Sequence, residues 1–123
     1  MPRRLKLFFD GGCRSGRMEA AVVAGGRTTI LPDLGPGTSG EAEWLALIHA
    51  ATLARALGVP DFVLLGDSAD VVAKANGALK CRPGERAHLE RFRALCVGVR
   101  PRLRHVRRSR NLAGIALGKR HVR

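Results

Sequence analysis

Of the ten carboxylate side chains in the chain, three occupy positions from which they could act together: Asp10, Glu43 and Asp67. Asp10 closes a short apolar run, residues 5–9, and Asp67 follows a second one, residues 62–65, each with the length and boundaries of a buried strand. If those strands are parallel neighbours, both carboxylates emerge at one carboxyl edge of a sheet, where open α/β sheets bind their ligands. Glu43 lies one turn inside a helix, on the flank shared with Leu47 and Ala50 that faces the sheet. Carboxylates held within a few ångströms repel one another, and a cation offsets that repulsion. Oxygen-only donors select hard ions, so the chemistry implied is that of Mg²⁺ or Mn²⁺ rather than zinc.

The setting of these acids is strongly basic. The 123 residues carry 22 Lys and Arg against 10 Asp and Glu, a formal net charge of +12. A field of that sign attracts polyanions, and a carboxylate cluster holding hard ions within it is the layout of a phosphodiester hydrolase. Tyr is absent and aromatic residues make up 4% of the chain, so recognition by rows of stacked bases is disfavoured and backbone or duplex recognition fits better. Cys13, Cys81 and Cys96 are odd in number and have no paired spacing, which reads as reduced thiols in the cytoplasm. The apolar run after the basic opening stops at Asp10. The stretch 44–57 is interrupted by His49, Thr52 and Arg55, so neither a signal peptide nor a membrane span is expected.

The elements that position these residues follow from local patterns. Residues 5–10, 18–24 and 27–31 read as three strands joined by hairpins at Gly16 and at Gly25-Gly26. Thr38-Ser-Gly-Glu41 has the pattern of a capping box, and Trp44, Leu47, Ile48, Ala51 and Ala54 recur at helical spacing until Gly58 and Pro60. The fully apolar run 62–65 predicts a strand covered on both faces. Residues 69–75 and 84–97 read as helices, 103–106 as a last strand and 110–119 as a closing helix. The sum is one α/β domain over 1–123, with a five-stranded mixed sheet in the order β-β-β-α-β-α-α-β-α and helices on both faces.

Taken singly, the acids have plainer roles. Asp10 and Asp67 suit turns or caps, Glu41 suits the capping box, and Asp70 suits the first turn of a helix. Their conjunction matches a known pattern. The segments Leu7-Phe-Phe-Asp10-Gly-Gly-Cys-Arg-Ser-Gly16, Gly40-Glu-Ala-Glu43-Trp-Leu-Ala-Leu, Leu64-Leu-Gly-Asp67-Ser through Asn76-Gly77, and Val106-Arg-Arg-Ser-Arg-Asn111 together resemble the ribonuclease H family across nearly the whole chain. The resemblance implies a ribonuclease H-like fold and metal-dependent endonucleolytic hydrolysis of the RNA strand of an RNA/DNA hybrid. It makes Asp10, Glu43 and Asp67 the catalytic, metal-holding residues. It also implies that Gly11, Arg14 and Asn76 touch the nucleic-acid backbone or 2′-hydroxyls. One departure stands out: the family places a fourth Asp in the last helix, and here Gly114 or Ile115 takes that position, with no carboxylate side chain after Glu90.

Six arginines occupy residues 100–110: Arg100, Arg102, Arg104, Arg107, Arg108 and Arg110. With no compensating acid among them they read as a phosphate-contacting surface, Arg104, Arg107 and Arg108 in particular. His49, His105 and His121 read as packed or solvated. Three expectations follow. The chain is a nuclease acting on RNA/DNA hybrid; or an impaired relative that binds hybrid or double-stranded RNA without turnover; or a general basic RNA-binding protein whose acids are only caps. No membrane partner is expected.

Overall fold

A computed structural model of the protein describes residues 4–99 and 101–121; residues 1–3 of the basic opening and Arg100 of the arginine run lie outside them. The elements, in order, are β1 (Leu5–Arg14), β2 (Arg17–Ala24), β3 (Arg27–Leu31), α1 (Ser39–Ala56), β4 (Phe62–Gly66), α2 (Ala69–Ala75), α3 (Arg86–Leu95), β5 (Arg102–His105) and α4 (Leu112–Lys119), with short 3₁₀ turns at Pro83–Glu85 and Arg108–Arg110. The strands form one sheet in the order β3-β2-β1-β4-β5. The hairpin strands pair antiparallel, β1 with β2 and β2 with β3, whereas β4 returns through α1 to pair parallel with β1, and β5 pairs parallel with β4. The expected mixed five-stranded α/β fold is therefore present, with helices on both faces.

Side-chain alternation sorts the core into two layers. On one face Leu7, Phe9, Val22 and Leu64 pack with Trp44, Leu47, Val71 and Phe92 from α1, α2 and α3. On the other, Ala21 and Val23 meet Ala113 and Leu117 of α4. All five residues of β4 are buried, flanked by β1 and β5 in the sheet and covered on one face by α1. A fully buried leucine such as Leu47 contributes roughly 2 kcal/mol from apolar area removed from water.

Several boundaries differ from the sequence reading, each for a physical reason. Strand β1 does not stop at Asp10. It runs through Gly11-Gly12 to Arg14, so Asp10 sits in mid-strand opposite Ala21. Gly11 is there because α1 approaches closely: a Cβ at that position would collide with the backbone of Ala42, which only glycine avoids. The hairpin turns at Gly16 as expected, with Ser15 and Gly16 both at positive φ (50° and 76°). The stretch read as one helix over 84–97 divides into the 3₁₀ turn and α3. The last helix begins at Leu112 rather than 110, because Asn111 caps it by accepting the Ala113 N–H at 3.1 Å.

Candidate active site

The parallel pairing of β1 and β4 places Phe9 beside Gly66, so Asp10, still within β1, and Asp67, just past the end of β4, come side by side. Helix α1 reaches this edge because Thr38 caps its first turn, its hydroxyl accepting the Glu41 N–H at 3.1 Å. Glu41 remains at the rim. Glu43, two residues further along, turns inward and is only 8% exposed. Asp10, Glu43 and Asp67 each bring one carboxylate oxygen to a group whose members all lie within 4.8 Å of one another.

Three groups fix the positions of these carboxylates. The Gly11 N–H donates to Glu43 Oε1 at 2.8 Å. Asn111 is completely buried, and its Nδ2 donates to Asp67 Oδ2 at 3.0 Å and to the Phe9 carbonyl at 2.9 Å. His105 Nε2 lies 3.2 Å from the Asp67 carbonyl, which can only accept, so this nitrogen carries the proton. Asn111 thus joins β1, the end of β4 and the start of α4 in one side chain. Its place in the late motif was visible in the sequence, but its role was not; an Asn directly before a helical run signals a cap and says nothing of a second, distant partner.

The electrostatics are those of crowded acids. Burial, followed by the proximity of Asp10, raises the Glu43 carboxyl to about 9. Asp10 is also raised, chiefly by burial and then by Asp67 against the opposing influence of Arg108 and of hydrogen bonding. Glu43 Oε2 is buried without a hydrogen-bond donor. With the Asp10 and Asp67 carboxylates in the same cluster, two arrangements satisfy it: a proton held on Glu43, or a cation between the acids. The donor set is all oxygen, anionic and compact, which fits a hard divalent ion.

The fourth acid position is resolved by the geometry. A Cβ on Gly114 would lie 3.4 Å from Asp10 Oδ2 and 3.5 Å from Asp67 Oδ2, whereas Ile115 is 41% exposed. Gly114, not Ile115, faces the cluster.

The expected nucleic-acid contacts are not gathered at one place. Arg14 is exposed at the end of β1, and Arg104, Arg107 and Arg108 are exposed on and after β5. Asn76 ends α2 and spends its Nδ2 on the Leu103 carbonyl at 2.9 Å, tying α2 to β5. Gly11 is buried under α1, and its N–H donates to Glu43 Oε1. His49 is half-buried, and burial lowers its pKa. His121 donates to the buried carboxylate of Glu19, which also accepts from Arg120 at 3.2 Å and pins the end of α4 to β2.

Residues 9–121 match the sequence pattern of the family described as reverse transcriptase-like, and the chain belongs to that family, with a ribonuclease H fold. Among solved structures, ribonuclease H1 from the halophilic archaeon Halobacterium salinarum superposes with a TM-score of 0.77 at 29% identity, covering 95% of this chain and 99% of that one. The N-terminal ribonuclease H domain of a Mycobacterium tuberculosis protein gives 0.76 at 26%, covering 94% and 95%. LC11 ribonuclease H1 in complex with RNA/DNA hybrid gives 0.79 at 20% identity over 89% of each chain, a likeness of fold. Curated protein sequences gave no match. No helix among the described residues is long and apolar enough to cross a membrane.

Proposed function

We propose that the protein is an endonuclease of the ribonuclease H type, hydrolysing the RNA strand of RNA/DNA hybrids with Mg²⁺ or Mn²⁺ held by Asp10, Glu43 and Asp67. One observation carries this reading: three carboxylates from three elements converge within 4.8 Å, with a buried Glu43 oxygen lacking any donor, in a chain of net charge +12. Such a cluster serves no purpose in a cap or turn. The bound ion supplies an acidified water nucleophile and charge stabilisation for the departing 3′ oxygen. The chain's own residues do the rest. Gly11 and Asn111 hold the carboxylates in place before substrate arrives, which removes reorganisation from the reaction. Arg108, close enough to act on Asp10, offers positive charge to the phosphate, and Arg104, Arg107 and Arg14 extend that charge along the backbone. Asn76, whose amide oxygen accepts no hydrogen bond among the described residues, contacts a 2′-hydroxyl in this reading.

A second reading is favoured by Gly114. Without a fourth acid the cluster offers one ligand fewer to a cation, and the protein becomes a hybrid-binding module with weak or absent turnover. Cleavage of RNA annealed to DNA, assayed in Mg²⁺ and separately in Mn²⁺ with Asp10→Asn as control, decides between them. Cleavage lost in the variant upholds the nuclease. Retained binding with no cleavage in either metal overturns it in favour of the binding module.

A further inference from the structure

The pairing register extends the cluster into a pattern across the sheet. Lys6 pairs with Val63 and Val63 with Arg102; Phe8 pairs with Leu65 and Leu65 with Arg104. Paired residues share a face, and residues two apart along a strand share it too. Lys6, Phe8 and Asp10 therefore line one face of β1, and Val63 and Leu65 line the same face of β4, leading to Asp67 just beyond the strand. Below the acids lie two successive rows, aromatic–apolar–arginine and then lysine–valine–arginine, about 6.6 Å apart. Helix α4 covers the β1, β2 and β3 part of this face, leaving the β4 and β5 part to a groove of about 570 Å³ whose lining contains no carboxylate. Arg4, at its far end, is paired with Asp61 at 3.2 Å, whereas Lys6, Arg102 and Arg104 have no ion-pair partner among the described residues.

We infer that this groove binds the single-stranded continuation of the RNA strand that enters the acid cluster, so that the preferred substrate is a hybrid carrying an RNA tail at one end. The inference rests on the hybrid-cleavage reading for the identity of the strand, and on the groove itself for the tail. A cationic rim with an apolar floor and the partly exposed ring of Phe8, which packs on its other side against the α4 core, combines the two features that hold single strands, backbone charge and a stacking platform. The floor favours an unpaired base over a duplex, whose bases are already stacked. Continuity with Asp10 and Asp67, in register along the same two strands, favours the strand held there over an unrelated acidic protein.

The test compares blunt hybrids with hybrids bearing an RNA tail of about six nucleotides at the 5′ or the 3′ end, binding to the full chain carrying Asp10→Asn being read by fluorescence anisotropy. The expected result is about tenfold tighter binding for a tail at one end only, the gain from one stacked base. The tailed-to-blunt ratio falls to about one in Lys6→Glu and in Arg110→Glu, two exposed positions lining the groove where substitution leaves the core intact. Equal binding of tailed and blunt hybrids overturns the inference, as does an aspartate-rich peptide that occupies the groove while the tail does not. A tail advantage in a protein that cleaves no hybrid in either metal upholds the groove and overturns the cleavage reading alone.

Discussion

Asn111 and Gly114 sit one turn apart at the start of α4, and each decides something about the three acids. Asn111 satisfies three partners from a fully buried position. Asn111→Ala leaves the Phe9 carbonyl and the Ala113 N–H without it, so a loss of about 2–3 kcal/mol is expected in urea titration, with Asp67 released and cleavage reduced beyond what stability explains. Gly114→Asp tests the missing acid directly. A carboxylate placed beside Asp10 and Asp67 adds repulsion when no ion is present, so the variant melts lower than the parent in chelator. Addition of Mn²⁺ then raises its melting temperature by more than it raises the parent's, because a state with more ligands binds the ion more tightly.

Between elements, a polar network centred on Lys74 and Glu85 adds to the apolar packing that joins α1, α2 and the turn before α3. Lys74 is 7% exposed and donates to Asp70 and to Glu85, both at 2.8 Å, while Glu85 also accepts the Trp44 indole N–H at 2.9 Å and the Arg82 N–H. Burial alone would raise the Glu85 carboxyl, but the bonds from Lys74, Arg82 and Trp44 outweigh it and hold the group down at about 2. A carboxylate depressed in the folded state stabilises the fold fully above its unfolded pKa near 4.5, and that stabilisation is lost as pH falls toward 2. Glu85→Gln is therefore expected to lower stability by about 2 kcal/mol at neutral pH and to flatten the decline between those limits, as read by denaturant titration across the acid range. At the opposite side of α1, Gly11→Ala forces a methyl group against the Ala42 backbone, and loss of the folded circular-dichroism signal or of soluble expression is expected.

Across the whole molecule, the excess of positive charge is spatially organised: the acids are drawn into one cluster and a few ion pairs, while the arginines of β5 and the following turn lie exposed. If Arg14, Arg104, Arg107 and Arg108 each neutralise a phosphate, hybrid affinity falls about a hundredfold between roughly 50 and 200 mM salt. A much flatter salt dependence, measured by anisotropy titration, would remove those arginines from the interface.

The order of strands and helices, the capped start of α1, the buried β4 and the identity of the three clustered acids were legible in the chain. Each depends on local signals: apolar periodicity, a cap, a glycine or proline stop. Other features depended on contacts between distant residues. Gly11 looked like a strand terminator because collision with Ala42, more than thirty positions away, leaves no local trace. Asn111 fell inside the helix read over 110–119, whereas it caps α4 and joins Phe9 and Asp67. The choice between Gly114 and Ile115 depended on the rotation of α4 against β1. The row of Lys6, Phe8 and Asp10 became continuous with Val63, Leu65 and Asp67 only through the parallel register of β1 and β4, which local propensity does not encode. Sequence thus determined which groups are present and which elements carry them. Tertiary packing decided which groups meet, because burial and register are properties of the closed sheet and its helices.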